Sequence, residues 1–350
     1  MRKRLLDFIE CKRCGVDFRL KIVSQDKDGV KVGTLTCPKC KIQYKIINYI
    51  PRFLPEESLR ELKEETVKFF GYEWTHFNRH GFEDKVYNET FEKKIFHEKT
   101  LLRSKELKGK LVLDAGCGNG RYTYQARKCG AEVFGFDLGP GVESAYKNTK
   151  HLGKVHIIQA DIFNLPFKES VFDYAFSIGV IHHTGDAKRA LSCILKPLKQ
   201  NKHVSITCYH KSNVLWEFND WFLRKFTTKM SIPELIKLTK FLAVSCEHAG
   251  KYIEKFGNLF FRWEPNVSIM YDWYSAPIAT HHTYPEIYSW CKDMGIYINE
   301  DLRWEKKEWI RNIQFVRTYL APDWAITFRG VKNNKFNKNP KHLYDKSVIR

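Results

Sequence analysis

Three groups of residues in this 350-residue chain have the types and spacing to do chemistry. The first is Asp114-Ala115-Gly116-Cys117-Gly118-Asn119-Gly120, which follows the apolar run Leu111-Val112-Leu113. Such a run suits a central parallel strand, and a carboxylate at its carboxyl end lies where open α/β sheets bind ligands. Glycines at alternate positions let the backbone turn sharply and approach a bound group with no Cβ in the way. Arg121–Lys128 has helical propensity, so the unit reads as strand, glycine turn, helix, with a nucleotide-like cofactor as its occupant. The second group is Cys11-Lys12-Arg13-Cys14 with Cys37-Pro38-Lys39-Cys40. Two C-x-x-C knuckles separated by 22 residues match a tetrahedral four-thiolate zinc site, and the neighbouring Lys and Arg favour thiolates. A redox pair is the alternative; it needs one knuckle at a helix start and leaves the other idle. The third group is His182-His183 and His281-His282, imidazoles able to serve as general bases because their reference pKa is near neutrality. Any single histidine is more often structural.

The glycine spacing narrows the cofactor. A dinucleotide fingerprint would place its third glycine where Arg121 stands, and no Gly-Lys-Ser/Thr follows for a phosphate loop. Asp114-x-Gly116-x-Gly118-x-Gly120 instead resembles the first motif of class I S-adenosylmethionine-dependent methyltransferases. Three further segments agree in order and distance: Val133–Asp137, Ile157–Ile162, and Phe172–Val180 followed by Ile181-His182-His183. The last looks like the post-strand motif of the type 11 group that includes the ubiquinone and menaquinone biosynthesis methyltransferases. The resemblance implies a Rossmann-like seven-stranded α/β sheet. It also implies that S-adenosylmethionine is bound by Asp114, Gly116, Gly118, Asn119, Gly120, Asp137, Leu138, Asp161, Ile162 and Ser177. Asp137 ends the second strand and is suited to accept both ribose hydroxyls, since a carboxylate takes two donors. Asp161 would lie beside the adenine.

These residues need elements to hold them. The expected organisation is a zinc ribbon over 1–55, helices covering the cofactor over 56–108, and the cofactor-binding core over 109–210. A helical cap insertion follows over 211–285, then a helix and strands of the core over 286–330 and a basic, poorly ordered tail over 331–350. Residues 1–55 are too few for a large core, which is where a metal contributes folding free energy. The stretch from Leu5 to Pro55 resembles zinc ribbons that partner or are fused to several methyltransferases. Cys117, Cys129, Cys193 and Cys208 are scattered at core-like positions and read as inert. In the cap, Trp216, Phe218, Trp221, Phe222 and Phe226 are closely spaced, and internal packing is the plainest reading of them. Arg224, Lys225 and Lys229 flank these aromatics, so a membrane-surface helix is the other reading. Helices are expected over 56–70, 186–199 and 286–294, and strands over 203–209 and 324–330.

The formal charge is +19, with a net of +7 in residues 1–50 and +5 in residues 331–350. The other 280 residues therefore hold only +7, which puts the positive charge in the ends and not across the core. No apolar stretch approaches the length of a spanning helix, and no signal-peptide pattern opens the chain, so a cytoplasmic protein is expected.

Methyl transfer from a sulfonium asks the protein to align donor and nucleophile, exclude water and take a proton where needed. His182, His183, His281 and His282 are the candidate bases. Ser177-Ile178-Gly179-Val180 stands where an N-P-P-Y motif would, which speaks against the adenine, cytosine and glutamine N-methyltransferases. The favoured reading is a methyltransferase for a small-molecule or glycan/lipid-linked intermediate. The alternative is an RNA methyltransferase that grips RNA with ribbon and tail, and a second alternative is a non-catalytic docking protein.

Overall fold

A computed structural model of the chain describes residues 1–54, 61–82, 88–212, 214–258, 260–301 and 325–333. The first strands are β1 (Arg19–Asp26), β2 (Gly29–Thr36), β3 (Gln43–Ile47) and β4 (Ile50–Phe53). Helices α1 (Glu61–His76), α2 (Glu89–Thr100) and α3 (Ser104–Leu107) lead into β5 (Leu111–Ala115). Then come α4 (Arg121–Lys128), β6 (Glu132–Asp137), α5 (Gly141–Thr149), β7 (Val155–Ala160), β8 (Phe172–Ile178), α6 (Ala187–Leu195) and β9 (Leu198–Tyr209). Three cap helices follow: α7 (Val214–Thr227), α8 (Ile232–Gly257), which is broken at Gly250, and α9 (Val267–Ser275). Helix α10 (Tyr284–Asp293) and strands β10 (Ile296–Asp301) and β11 (Ala325–Lys332) close the fold.

Local sequence explains the boundaries. Asn88 caps α2 by accepting hydrogen bonds from the Thr90 and Phe91 amides, with Glu89 and Glu92 in the first turn. Thr283 and Glu286 form a capping box on α10, Pro285 occupies its first turn, and Gly295 follows its end in a left-handed conformation. Consecutive residues of the central strands face opposite clusters. Leu113, Phe134 and Ala175 pack with α6, α10 and the amino-terminal segment, while Val112, Val133 and Phe176 pack with α2 and α4. Both faces are therefore buried, which is why these strands read as continuous apolar runs.

The eleven strands of the described residues form one sheet, in the order β1-β2-β3-β4-β7-β6-β5-β8-β9-β11-β10. The expected seven strands are present as β7-β6-β5-β8-β9-β11-β10, and four more extend the sheet. The extension is the amino-terminal ribbon, which pairs β4 in parallel with β7 through Arg52↔Gln159 and Phe53↔Ala160. Without it, β7 would be an open edge with unpaired backbone groups. The Arg52 guanidinium reinforces the junction, donating to Gln159 Oε1 at 2.9 Å and pairing with Glu143. Phe8 packs on Phe134 with ring centroids 4.6 Å apart. The ribbon thus shares the main core and does not rest on a core of its own.

The cap departs from its plainest reading. Trp216 is 1% exposed, but Phe218, Trp221, Phe222 and Phe226 are all about half exposed, with Phe218 at 56%. Only one stripe of α7 faces α9, so the aromatics on the opposite stripe meet solvent. The fifth core strand is longer than expected, because Leu198 pairs with Phe172 ahead of the main register. Residues 334–350, most of the expected basic tail, lie outside the described residues, as do 55–60 at the start of the expected first helix.

Candidate active site

The strand order reverses between β5 and β8, and the loops above these strand ends open into a cavity of about 490 Å³. Of the glycine turn, Gly116 lines this cavity, whereas Gly118 and Gly120 do not. Gly116, Gly118 and Gly120 have φ of +85°, +52° and +86°. The Gly116 and Cys117 amides both donate to the Phe136 carbonyl at 2.9 Å, which binds the turn to the end of β6. A Cβ at Gly116 would stand 2.6 Å from Val180 Cγ1, so the close packing of turn against β8 loop admits only glycine.

Asp137 ends β6 and lines the cavity with Leu138. Its Oδ2 accepts from the Gly118 amide at 3.0 Å and its Oδ1 from the Gly139 amide at 2.9 Å. Burial raises its pKa, and those backbone donors oppose the rise. A carboxylate has about four lone-pair positions, so two remain for donors from a ligand. Asp161 and Ile162 line the cavity from the end of β7, beside Phe163. The glycine cradle, the acid with spare acceptor capacity and this apolar wall fit a nucleoside-bearing cofactor.

Other residues of the motif build the loop and do not line the cavity. Asp114 is 2% exposed, accepts from Thr123 Oγ1 at 2.5 Å, and so ties β5 to α4. Burial pushes its pKa up to about 7 although the Thr123 hydrogen bond opposes the rise. Asn119 donates its amide to the His80 carbonyl at 2.9 Å, and Ser177 donates to the Ala115 carbonyl at 2.9 Å. Asp114, Asn119 and Ser177, expected to bind the cofactor, are therefore engaged within the loop and the sheet.

The histidines separate into two pairs. His182 and His183 line the cavity, whereas His281 and His282 do not. His281 Nδ1 is 2.6 Å from Glu217 Oε2, and His282 lies between Thr280 Oγ1 at 2.9 Å and Glu286 Oε1 at 3.2 Å. These two, also expected as candidate bases, pin the loop after α9 to α7 and α10 and lie outside the cavity lining. His183 donates from Nδ1 to the Ile278 carbonyl at 2.6 Å, an acceptor-only group that sets the tautomer. Burial lowers its pKa to about 3 and drives that of His182 well below the usual value. Both are neutral near pH 7 and weak bases.

The opposite wall comes from α1, α2, Tyr209 and α9, several of whose residues carry no sequence motif. Glu73 on α1 is 1% exposed, its Oε2 has no partner, and burial followed by repulsion from Asp272 raises its pKa. Asp272 on α9 is pushed up to about 6 by burial, against the attraction of Arg121, Arg224 and Arg262. Arg121 pairs with Glu92 at 3.8 Å, and Arg262 pairs with Glu264. Lys99 lines the same cavity. Only Arg121, directly after the glycine turn, had a signal in the sequence.

Away from the cavity, the sulfurs of Cys11, Cys14, Cys37 and Cys40 all lie within 4.8 Å of one another, with Cys11 and Cys40 at 3.6 Å. Four thiolates bound to zinc at 2.3 Å sit about 3.8 Å apart, so the cluster fits that ion. The Cys40 amide donates to Cys37 Sγ at 3.4 Å. Although burial raises the Cys37 pKa, backbone donors from Cys40 and Lys39 bring it down to about 6. Neither knuckle begins an α-helix, which removes the geometry a redox pair requires.

Residues 113–206 match the family described as a methyltransferase domain. The middle of the chain therefore matches a methyltransferase domain, and it is built on a doubly wound α/β sheet. It is similar to a tRNA U34 carboxymethyltransferase of Campylobacter hominis, 33% identical over 28% of this chain and 36% of that protein. It is also similar to a tRNA (carboxymethyluridine(34)-5-O)-methyltransferase of Saccharomyces cerevisiae, 29% identical over 35% of this chain and 47% of that one. An O-methyltransferase of Penicillium expansum is 32% identical over 30% of this chain and 40% of its own. The chain thus spans between a third and a half of the length of these curated relatives.

Proposed function

We propose that this protein is an S-adenosylmethionine-dependent methyltransferase whose acceptor is a nucleoside of RNA. One observation carries the methyl-transfer reading: Asp137, with two free acceptor positions, lies beside the glycine cradle in the cavity of a methyltransferase domain. S-adenosylmethionine would supply the methyl group, the electron pair of the broken carbon–sulfur bond staying on sulfur. Asp137 accepts from the ribose hydroxyls, and Leu138, Ile162 and Phe163 cover the apolar face of the base. Trp273, Tyr209, Phe70 and Ile95 close the cavity and exclude water, which strengthens the electrostatics inside it. Both histidines are neutral: His183 offers Nε2 as an acceptor, whereas His182, whose Nδ1 accepts from the Tyr209 amide at 3.4 Å, offers Nε2–H as a donor, and neither draws off a proton at pH 7. The acceptor therefore reacts through a group that is already nucleophilic.

The RNA reading is supported by the two tRNA-modifying relatives and by the surplus positive charge of residues 1–50. The cysteine cluster would hold a structural zinc, since four thiolates leave no open position for water. A small-molecule or glycan/lipid-linked acceptor is the second reading, favoured by the solvent-facing aromatics of α7. A docking role alone does not need the spare acceptors of Asp137. The test is incubation with methyl-labelled donor and, separately, total RNA or a small-metabolite extract. Label in RNA supports the first reading, label only in small molecules the second, and no transfer to either overturns both.

A further inference from the structure

Lys99 stands on the last turn of α2, where its carbonyl accepts from Thr207 Oγ1 at 2.8 Å on β9. Strand β9 is three places from β6 in the sheet, about 14 Å at the usual strand spacing. Lys99 therefore belongs to the end of the cavity remote from Asp137. Arg121 and Arg262 line the same cavity, and each has a carboxylate partner, Glu92 and Glu264 respectively. Among the described residues, no carboxylate or hydrogen-bond acceptor meets the Lys99 ammonium. Burial first, and then the charges of Arg262 and Arg121, lower its pKa to about 8, against weaker attraction from Glu98 and Glu264. Lys99 is half-buried, and an ammonium facing a largely enclosed cavity without a protein countercharge points to a ligand that brings one.

We propose that Lys99 is the anion-binding residue of the acceptor subsite, pairing with a carboxylate or phosphate on the acceptor while Arg262 adds positive charge from across that end of the cavity. The proposal rests on the methyl-transfer reading, and it names the substrate class: a nucleoside bearing an anionic group. A carboxylate on the base and a phosphate of the backbone offer the same chemistry. Either anchors the acceptor by charge, and neither requires a strong base nearby, in keeping with the weak basicity of His182 and His183.

The test is calorimetric titration of the full chain with 5-carboxymethyluridine, uridine 5′-monophosphate and uridine, with and without saturating S-adenosylhomocysteine. One of the two anionic probes is expected to bind at least about 10-fold tighter than uridine, the worth of one charged hydrogen bond; which one it is identifies the source of the charge. Lys99→Met is expected to abolish the preference and leave S-adenosylhomocysteine affinity unchanged. Lys99→Arg, which keeps the charge and cannot act as a base, is expected to restore it. Equal binding of all three probes, binding of none, or a preference that survives Lys99→Met overturns the proposal. So does a failure of Lys99→Arg to restore it while S-adenosylhomocysteine still binds. Should wild type bind no S-adenosylhomocysteine yet keep a Lys99-dependent preference, the methyl-transfer reading falls and the anion site stands.

Discussion

Replacing Asp137 with alanine tests the cofactor assignment at its centre. The carboxylate offers about four acceptor positions, of which the Gly118 and Gly139 amides occupy two. The two left for ribose hydroxyls are charge-assisted, each worth about 1.5 kcal/mol at the low end of the usual range. Their joint loss is about 3 kcal/mol, or roughly a 100-fold weaker affinity for S-adenosylhomocysteine. Alanine also leaves the Gly118 and Gly139 amides without acceptors, so the loop loses order as well as the ribose. Asp137→Asn keeps one acceptor oxygen and is expected to fall between alanine and wild type. Calorimetric titration gives the affinities, and urea unfolding of each variant shows that the comparison is between folded proteins. An Asp137→Ala protein that folds and binds within about threefold of wild type would refute the reasoning, because the ribose would then be held elsewhere.

Gly116→Ala is expected to destabilise the fold by about 2 kcal/mol or more, from a positive φ and the clash with Val180. Val180→Ala should recover part of that loss in a double-mutant cycle of urea midpoints, and strict additivity would count against the clash. Emission spectroscopy of purified protein is expected to find one zinc per chain, held by the four-cysteine cluster. A Cys11→Ser/Cys40→Ser protein should lose it, along with hydrogen-exchange protection in β1–β4 but not in β5, β6 and β8; unchanged protection in the ribbon would refute a structural role. Because burial holds His183 at about 3 against its ordinary 6.5, the unfolded chain binds more protons between those values, and stability falls as pH drops through that window. His183 accounts for about 1.5 kcal/mol of the loss between pH 6.5 and 5, so His183→Gln should lose that much less; an equal loss in both proteins would sink the assignment.

Sequence alone determined the residues that chemistry restricts to a few types at set intervals. Three glycines at alternate positions, an acid at the end of the next strand and two C-x-x-C knuckles are such patterns, and each has a local cause: a positive φ, a strand end, a turn that aims two sulfurs. The buried strands were legible for a similar reason, since burial on both faces leaves apolar runs. Tertiary structure alone decided everything that depends on which distant segments meet. The ribbon lies in the same sheet as the core because β7 presents an open edge, and hydrogen bonding to an edge leaves little mark on side-chain pattern. Asp114 and Asp137 look alike in sequence, yet packing against Thr123 consumes the first and the cavity exposes the second. The two histidine pairs look equally suited to catalysis until Glu217 and Glu286 claim one of them. Lys99 has no motif at all. Thr207, which bonds its backbone carbonyl, and Arg262, whose charge acts on its ammonium, lie more than 100 residues along the chain, and only the fold brings them to it at the cavity wall.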